Sequence, residues 1–177
     1  MRTFRWVAAL FEAPAAQRPY GEDVTIAAHM LQTAAAAAAA GSSDALTVAA
    51  LLHDVGHFLD HPENDDLGNR HHAHHGATML ASRFPPAVTE PIRLHVAAKR
   101  FLVATEAGYA ATLSAASVRT LAQQGGRFSV DQVEEFLAEP HASSAIALRR
   151  FDDDGKQPGA DVPGLDDHRQ RIERCAS

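Results

Sequence analysis

The sequence predicts an all-α fold in a single domain of 177 residues. Apolar residues recur at the spacing of an amphipathic helix through most of the chain, whereas alternating stretches of Val, Ile, Thr and aromatic residues are almost absent. With 46% hydrophobic and 21% charged residues, the chain can form a packed core and does not resemble a disordered or fibrous protein. No internal repeat or linker divides it. We therefore expect residues 1–177 to form one helical bundle.

In the N-terminal part, the pattern predicts three helices. The first covers about residues 3–11. The second begins at an acidic pair and covers about residues 22–40, because its alanine tract has the best helix propensity and Gly41 is a natural stop. Ser43 is a good N-cap for the third helix, residues 44–59, whose apolar stretch indicates the central buried helix.

Pro, Asn, Asp and Gly mark residues 61–70 and 152–163 as loops, and the rest of the chain returns to helical spacing. Two prolines at 85–86 and two glycines at 125–126 separate helices. The remaining helices are expected over residues 71–84, 88–101, 107–124, 130–138, 142–150 and 165–175.

Charge and cysteine content limit the possible partners. Sixteen basic against 22 acidic residues give a formal net charge of -6, which would repel a nucleic-acid backbone, so we expect no nucleic-acid partner. The single cysteine, Cys175, excludes a disulfide framework and a cysteine zinc cluster. The N-terminal apolar run is too short to span a bilayer. We expect a cytoplasmic protein without a membrane partner.

Histidine is the unusual component of this composition. Seven of the eleven histidines lie between His53 and His75. His53 and Asp54 form an adjacent pair inside the predicted central helix, and burying such a pair is costly unless both side chains are satisfied. A core histidine bonded to an aspartate would satisfy them, and so would a metal ion.

A series of residues on separate predicted helices, or at their ends, strengthens the metal interpretation. Helical bundles build metal sites from side chains on facing helices. Four histidines and two carboxylates exceed the needs of one ion, and a carboxylate has two oxygens with which to bridge. The sequence thus predicts two metal ions with open positions. The expected ligands are His29, His53, Asp54, His72, His95 and Asp152.

These residues carry a family resemblance. The order H…HD…H…H…D resembles that of the HD-domain superfamily. The segments AALLHDVGHF, HVAAKRFL, TLAQQGG and RRFDDDGKQ…VPG, in this order, are similar to those of its small phosphonate-degrading diiron oxygenases. The likeness extends from about Tyr20 to the last helix.

The resemblance implies two iron ions, in the Fe2+ and Fe3+ states, and molecular oxygen as co-substrate. One iron would be held by His29, His53, Asp54 and Asp152. The other would be held by the bridging Asp54 with His72 and His95. Imidazole and carboxylate ligands suit iron without requiring a thiolate.

The resemblance also implies a small zwitterionic phosphonate as substrate. Fixed donors and positive charge must meet its anionic group. In the resembling oxygenases that group is held at the positions of Lys99, Ser117, Thr120, Gln124 and Arg149.

Three more residues match positions around that substrate. His57 would contact the substrate or support a ligand. Glu22 would recognise a substrate ammonium group, and Tyr20 would cover the vacant iron position until substrate arrives, although a helix-entry packing role for Tyr20 is the alternative.

The other histidines are expected to have no part in the site, with one alternative. His71 or His74 could replace His72 if the helix register differs. Surface or loop positions are expected for His61, His71, His74 and His75, and no role in the site is expected for His141 and His168.

The leading hypothesis is therefore an oxygenase that cleaves the carbon-phosphorus bond of a 1-hydroxy-2-aminoethylphosphonate or its N-methylated relative, giving a carboxylic acid and phosphate. The alternative is a metal-dependent HD phosphohydrolase acting on a small phosphomonoester or nucleotide. A helical bundle with purely structural metals would leave the predicted substrate residues unexplained.

Overall fold

The computed structural model of the chain describes residues 2–20, 23–59 and 71–177. These residues form helices and turns, with one isolated bridge between Pro19 and Thr25 and no strand within the described part. The helices are α1 Arg2–Glu12, α2 Ile26–Ala39, α3 Asp44–Leu52, α4 His72–Leu80, α5 Pro86–Thr105, α6 Tyr109–Thr112, α7 Ala115–Gln123, α8 Val130–Leu137, α9 Ala142–Asp154 and α10 Arg169–Cys175. Short 3-10 helices lie at Pro14–Gln17, Val55–Phe58 and Leu165–His168. The predicted all-α fold is confirmed.

The main core lies where α2, α3, α5 and α9 meet. Helix α5 packs against α3, α4 and α9, and α2 packs against α3 and α9. Ile26, Met30, Leu51, Leu52 and Leu148 are fully buried there. The alanine tract of α2 is helical as predicted, and its small side chains allow close approach of the neighbouring helices. Four helices thus present side chains to a shared interior.

A smaller apolar cluster joins α5 and α9 to the segment that contains α6, α7 and α8. Leu94, Phe128 and Phe136 are buried in it. Helix α7 begins at the N-cap Ser114, whose hydroxyl accepts a hydrogen bond from the Ser117 amide. This N-cap divides the predicted helix 107–124 into α6 and α7, and it orients α7 toward α5.

The predicted third helix, residues 44–59, is shorter than expected. Helix α3 ends at Leu52, His53 is its C-cap, and Asp54 departs from helical geometry with φ -106° and ψ 10°. The chain continues as a 3-10 helix in which Gly56 packs tightly against the start of α4. The end of α3 therefore places His53 and Asp54 at a bend in the buried interior.

Helix α9 is longer than predicted. Residues 152–154 were expected in a loop, and that expectation is wrong, because α9 continues to Asp154 and Gly155 caps it. The Gly155 amide donates to the Phe151 carbonyl, and Arg149 pairs with Asp152 one turn later. Asp152 consequently lies on a rigid helix. Helix α4 is also shorter than predicted and ends at Leu80.

Within the described residues, none of the helices combines the length and the apolar character needed to cross a bilayer.

Candidate metal centre and substrate cavity

Five elements of the fold converge on one buried region. Helix α2 brings His29, α4 brings His72, α5 brings His95 and α9 brings Asp152, while the bend after α3 brings His53 and Asp54. All six residues predicted as ligands are buried, with at most 4% of their surface exposed. Residues far apart in sequence therefore meet in the interior.

The six side chains form two groups that could each hold a cation. In the first triad, His29, His53 and Asp152 offer ligand atoms within 4.8 Å of one another. In the second triad, Asp54, His72 and His95 do the same. The Nε2 atoms of each histidine pair, one pair per triad, lie 3.1 Å apart.

Asp54 faces both triads with different oxygens. Its Oδ2 lies 3.4 Å from the His53 Nε2 and 3.7 Å from the His29 Nε2. Its Oδ1 lies 3.4 Å from the His72 Nε2 and 3.7 Å from the His95 Nε2. The carboxylate therefore has the position that a ligand shared between two ions needs.

Backbone carbonyls fix the ring tautomers. The Nδ1 atom of His29 donates to the Gly155 carbonyl at 2.7 Å, that of His53 to the Ala50 carbonyl at 2.8 Å, and that of His95 to the Ile92 carbonyl at 2.7 Å. A carbonyl only accepts, so in each neutral ring the proton resides on Nδ1 and the Nε2 lone pair points into the centre.

This arrangement fits cations between the side chains. With both rings protonated at Nδ1 only, the Nε2 lone pairs of His29 and His53 would face each other at 3.1 Å, so a proton or a metal cation must lie between them to prevent repulsion. Among the described residues, neither oxygen of Asp54 nor the Oδ1 of Asp152 has a hydrogen-bond partner, although all three are buried. Unpartnered buried carboxylate oxygens are costly, and metal ligation satisfies them.

Both aspartates are held in the charged form. Burial alone would raise the pKa of Asp54, but the surrounding histidines, led by His53, hold it well below its usual range. Burial also opposes ionisation of Asp152, and the Arg149 guanidinium and the Lys156 ammonium outweigh it and lower its pKa. Anionic carboxylates and neutral imidazoles are a donor set that suits iron, zinc or manganese.

Two aromatic rings cover the triads. The Tyr20 ring stacks on His29 with centroids 4.1 Å apart, and burial followed by the nearby carboxylates raises the Tyr20 pKa well above its usual value. The His57 ring stacks on His72 at 4.2 Å, with its Nε2 3.9 Å from the Asp54 Oδ1. Burial and His72 lower the His57 pKa to about 3, so this imidazole is neutral near pH 7.

Tyr20 is fixed by its backbone. Its amide donates to the Val24 carbonyl at 2.9 Å, and the Ile26 amide donates to the Arg18 carbonyl at 3.0 Å. These two bonds tie Tyr20 and Arg18 to residues at the start of α2. Glu22, predicted to recognise an ammonium group, lies outside the described residues, as does His61.

One cavity borders both triads and the substrate residues predicted from the sequence. Its wall includes His72, His95 and Asp152 from the triads, together with Tyr20. It also includes all the predicted substrate residues that the structure describes: His57, Lys99, Ser117, Thr120, Gln124 and Arg149. The structure brings these residues together, as expected.

The wall opposite the triads is rich in donors. The buried Lys99 Nζ donates to the Thr120 Oγ1 at 2.8 Å, and burial, together with the neighbouring cation Arg149, lowers the Lys99 pKa to about 7. Ser117 and Gln124 are also buried, and the Gln124 Oε1 has no partner among the described residues. Such a wall can bind an anion with several charge-assisted hydrogen bonds.

Arg149 has a different environment from the one expected. Its Nη1 donates to the Asp152 Oδ2 at 2.5 Å, its Nη2 contacts the Asp153 Oδ1, and its Nε donates to the Tyr109 hydroxyl at 3.0 Å. The Ser117 Oγ is 3.5 Å from Nη2. Most of the guanidinium is therefore engaged by protein groups, and two carboxylates compensate its charge.

Sequence reasoning missed three residues of this region. Tyr109 and Asp153 hold Arg149, and Lys156 lines the cavity. Lys156 lies one helical turn after Asp152, a spacing that could have indicated it. By contrast, the predicted register of α4 is confirmed, because His72 is buried in the centre while His71 and His74 are exposed.

Comparisons with known proteins agree with this geometry. The model of the HD domain family matches residues 26–101, a range that contains five of the six converging residues and leaves out Asp152, which lies on α9. Over this range, the helical fold and the His/Asp residues of the triads are those of the HD-domain class.

Two similar proteins indicate the branch of the HD-domain family. The chain is 38% identical over 161 residues to a [1-hydroxy-2-(trimethylamino)ethyl]phosphonate dioxygenase (glycine-betaine-forming) of Leisingera caerulea, covering 89% of this chain and 82% of that protein. It is 41% identical over 160 residues to a hydroxymethylphosphonate dioxygenase of Gimesia maris, covering 88% of this chain and 80% of that protein. The chain therefore belongs to the HD-domain family, in the branch of the phosphonate dioxygenases.

Proposed function

We propose that this protein is a diiron oxygenase that cleaves the carbon-phosphorus bond of a small 1-hydroxyphosphonate to give a carboxylic acid and inorganic phosphate. One observation carries the proposal. A cavity with lysines and hydroxyl groups borders two His/Asp triads, in a chain 38% and 41% identical to proteins named phosphonate dioxygenases. The alternative, HD-type phosphohydrolysis, would need neither oxygen nor a redox-active metal.

The proposed metal ligands are the six buried side chains. His29, His53 and Asp152 would hold one iron and His72 and His95 the other, with Asp54 shared between them. Bound iron would supply one-electron redox chemistry and a binding place for oxygen. The fixed Nδ1 protons and the charged aspartates support this assignment, because they leave only electron pairs directed at the centre.

The proposed substrate site is the opposite wall. Lys99, Ser117, Thr120 and Gln124 would bind the phosphonate oxygens and so direct C1 and its hydroxyl toward the triads. The stacked Tyr20 and His57 rings would limit the access of water. Glu22 would meet a substrate ammonium. The proposal includes a small-molecule substrate in the cytoplasm, without nucleic acid or membrane.

The net reaction balances without a further reductant. A 1-hydroxyphosphonate and one O2 give a carboxylic acid and phosphate, so the C-P bond breaks, C1 is oxidised and both oxygen atoms of O2 enter the products. The protein's role is to hold C1 and the oxygen-binding position in fixed relation.

The test is phosphate release by iron-reconstituted protein in air and under strict anaerobiosis. Substrates are 2-amino-1-hydroxyethylphosphonate, its N-trimethylated form and hydroxymethylphosphonate. Release from at least one of them in air alone supports the proposal, and the best substrate identifies the amine preference. Release that continues without oxygen indicates hydrolysis and refutes it. Asp54→Ala serves as the inactive control.

A further inference from the structure

The chain contains two lysines, Lys99 and Lys156, and both line the cavity beside the triads. All fourteen other basic residues of the sequence are arginines. Lys99 has the substrate role proposed above. No role has been assigned to Lys156, which follows α9 by two residues.

The Lys156 ammonium lies between the donor-rich wall of the cavity, which carries Ser117, and the first triad. Its Nζ is 3.3 Å from the Ser117 Oγ and 3.4 Å from the Asp152 Oδ1. The Asp153 Oδ1 lies farther away, at 3.8 Å, and the Lys156 side chain is only 9% exposed. A long, flexible side chain is thus confined next to both a proposed phosphonate donor and a proposed metal ligand.

The backbone on both sides of Lys156 is fixed. The preceding Gly155 carbonyl accepts from the His29 Nδ1. The following Gln157 amide donates to the buried Gln32 Oε1 at 2.8 Å, and the Gln32 Nε2 donates back to the Gln157 carbonyl at 2.9 Å. This reciprocal pair anchors the segment to α2, so the direction in which Lys156 leaves the backbone is set by the fold.

The charge distribution of the cavity wall favours a second cation in this position. Arg149 is compensated by Asp152 and Asp153, and Tyr109 occupies its Nε. Among the side chains of that wall, Lys99 alone would match only one of the two charges of a phosphonate dianion, and burying unmatched charge is costly. Lys156 is the remaining basic side chain of the described cavity wall.

We propose that Lys156 is a substrate-binding residue, which together with Lys99 forms a two-lysine clamp around the phosphonate. Its ammonium passes from Asp152 to a phosphonate oxygen when substrate binds, while Arg149 remains the positioning residue of Asp152. The clamp predicts that the cavity binds a dianion more tightly than a monoanion of similar shape. This inference rests on the proposed function, since it concerns the same cavity.

The test compares Lys156→Met with the control Arg150→Met in the iron-loaded protein. Arg150 lies next to Arg149, is half exposed and pairs with Glu106 away from this cavity. The probes are methylphosphonate and methanesulfonate, which lack the reactive hydroxyl, and the readouts are dissociation constants by calorimetry and metal content.

We expect Lys156→Met to retain two irons per chain and to weaken methylphosphonate binding by about 10- to 100-fold, since a charge-assisted hydrogen bond is lost. The affinity of Lys156→Met for methanesulfonate should fall several-fold less than its affinity for methylphosphonate. Arg150→Met should bind both probes as the wild type does. Unchanged methylphosphonate binding, or loss of iron with Lys156→Met, overturns the inference.

A measurement on the wild type covers the case in which Lys156→Met does not fold. Protein labelled with 13Cε-lysine gives two lysine signals, which Lys99→Met assigns. Methylphosphonate should shift both signals, whereas a shift of the Lys99 signal alone, or of neither, overturns the clamp. If wild-type protein binds methylphosphonate at both lysines but releases no phosphate from any hydroxyphosphonate, the clamp stands and the proposed reaction fails.

Discussion

Gly56 lies where the bend after α3 touches the start of α4, and this contact leaves no space for a side chain. A Cβ at Gly56 would stand 1.9 Å from the His72 carbonyl oxygen and 2.7 Å from its carbonyl carbon. Both are backbone atoms and cannot rotate away. Reaching even the 3.0 Å that real contacts keep requires the two segments to separate by about 1.1 Å.

Gly56→Ala should therefore act on the second triad. The displaced carbonyl belongs to His72, whose Nε2 lies 3.1 Å from that of His95. A shift of about 1 Å is enough to spoil the ligand geometry and to lower activity by about 100-fold. Overpacking should also cost about 1–3 kcal/mol of unfolding free energy. We expect the variant to retain the iron of the first triad and to lose the other.

The assay is iron content per chain after gel filtration, with urea unfolding measured on the same samples. Gly164→Ala is the matched control, because its Cβ would meet only the Asp167 Oδ2, at 3.9 Å, and its φ of -78° suits alanine. Two irons per chain and wild-type activity in Gly56→Ala would refute the reasoning. Equal loss of both irons would show that the triads do not bind independently.

Three further expectations concern individual side chains. Asp54→Ala should remove both irons, because each carboxylate oxygen faces one triad. Lys99→Ala should keep both irons and bind methylphosphonate more weakly. Equal iron loss in the two variants contradicts these roles. Burial and nearby cations lower the Lys99 pKa to about 7, so its ammonium is lost as the pH rises. The affinity for methanesulfonate, which stays anionic throughout, should therefore fall between pH 7 and pH 9. In Lys99→Arg this affinity should depend less on pH. Tyr109→Phe should cost about 1 kcal/mol in urea unfolding, because the hydroxyl that accepts from the Arg149 Nε and donates to the Asp153 Oδ2 is lost. No change would show that Tyr109 does not stabilise this ion-pair cluster.

The sequence was most informative where chemistry and helix pattern coincide. A buried His53-Asp54 pair is costly without partners, so even before the fold is known it predicts either a hydrogen-bonded core pair or a metal site. Helical spacing predicted that His29, His72 and His95 lie on separate helices, and a bundle interior is where such residues can meet. The structure brings His72 and His95 within ligand distance of each other, and His29 within ligand distance of His53.

Other features could not be predicted because they depend on contacts between distant segments. The bend at Asp54 follows from the close approach of Gly56 to α4, which no local propensity encodes. The extension of α9 through Asp152 is supported by Arg149 within the helix and Tyr109 from outside it. Composition indicated a loop there, because Asp and Gly favour turns when tertiary partners are ignored.

The two lysines also reconcile an acidic protein with an anionic substrate. A formal net charge of -6 produces a field that repels long polyanions, whose charges extend over the whole surface. A small dianion inside the cavity is instead governed by the nearest groups, because charges a few ångströms away in a water-poor site outweigh screened surface charges. The Lys99 ammonium lies beside Thr120 and the Lys156 ammonium beside Ser117, while aspartates compensate Arg149, so positive charge is concentrated at the proposed phosphonate position. The same distribution supports the proposed small phosphonate substrate.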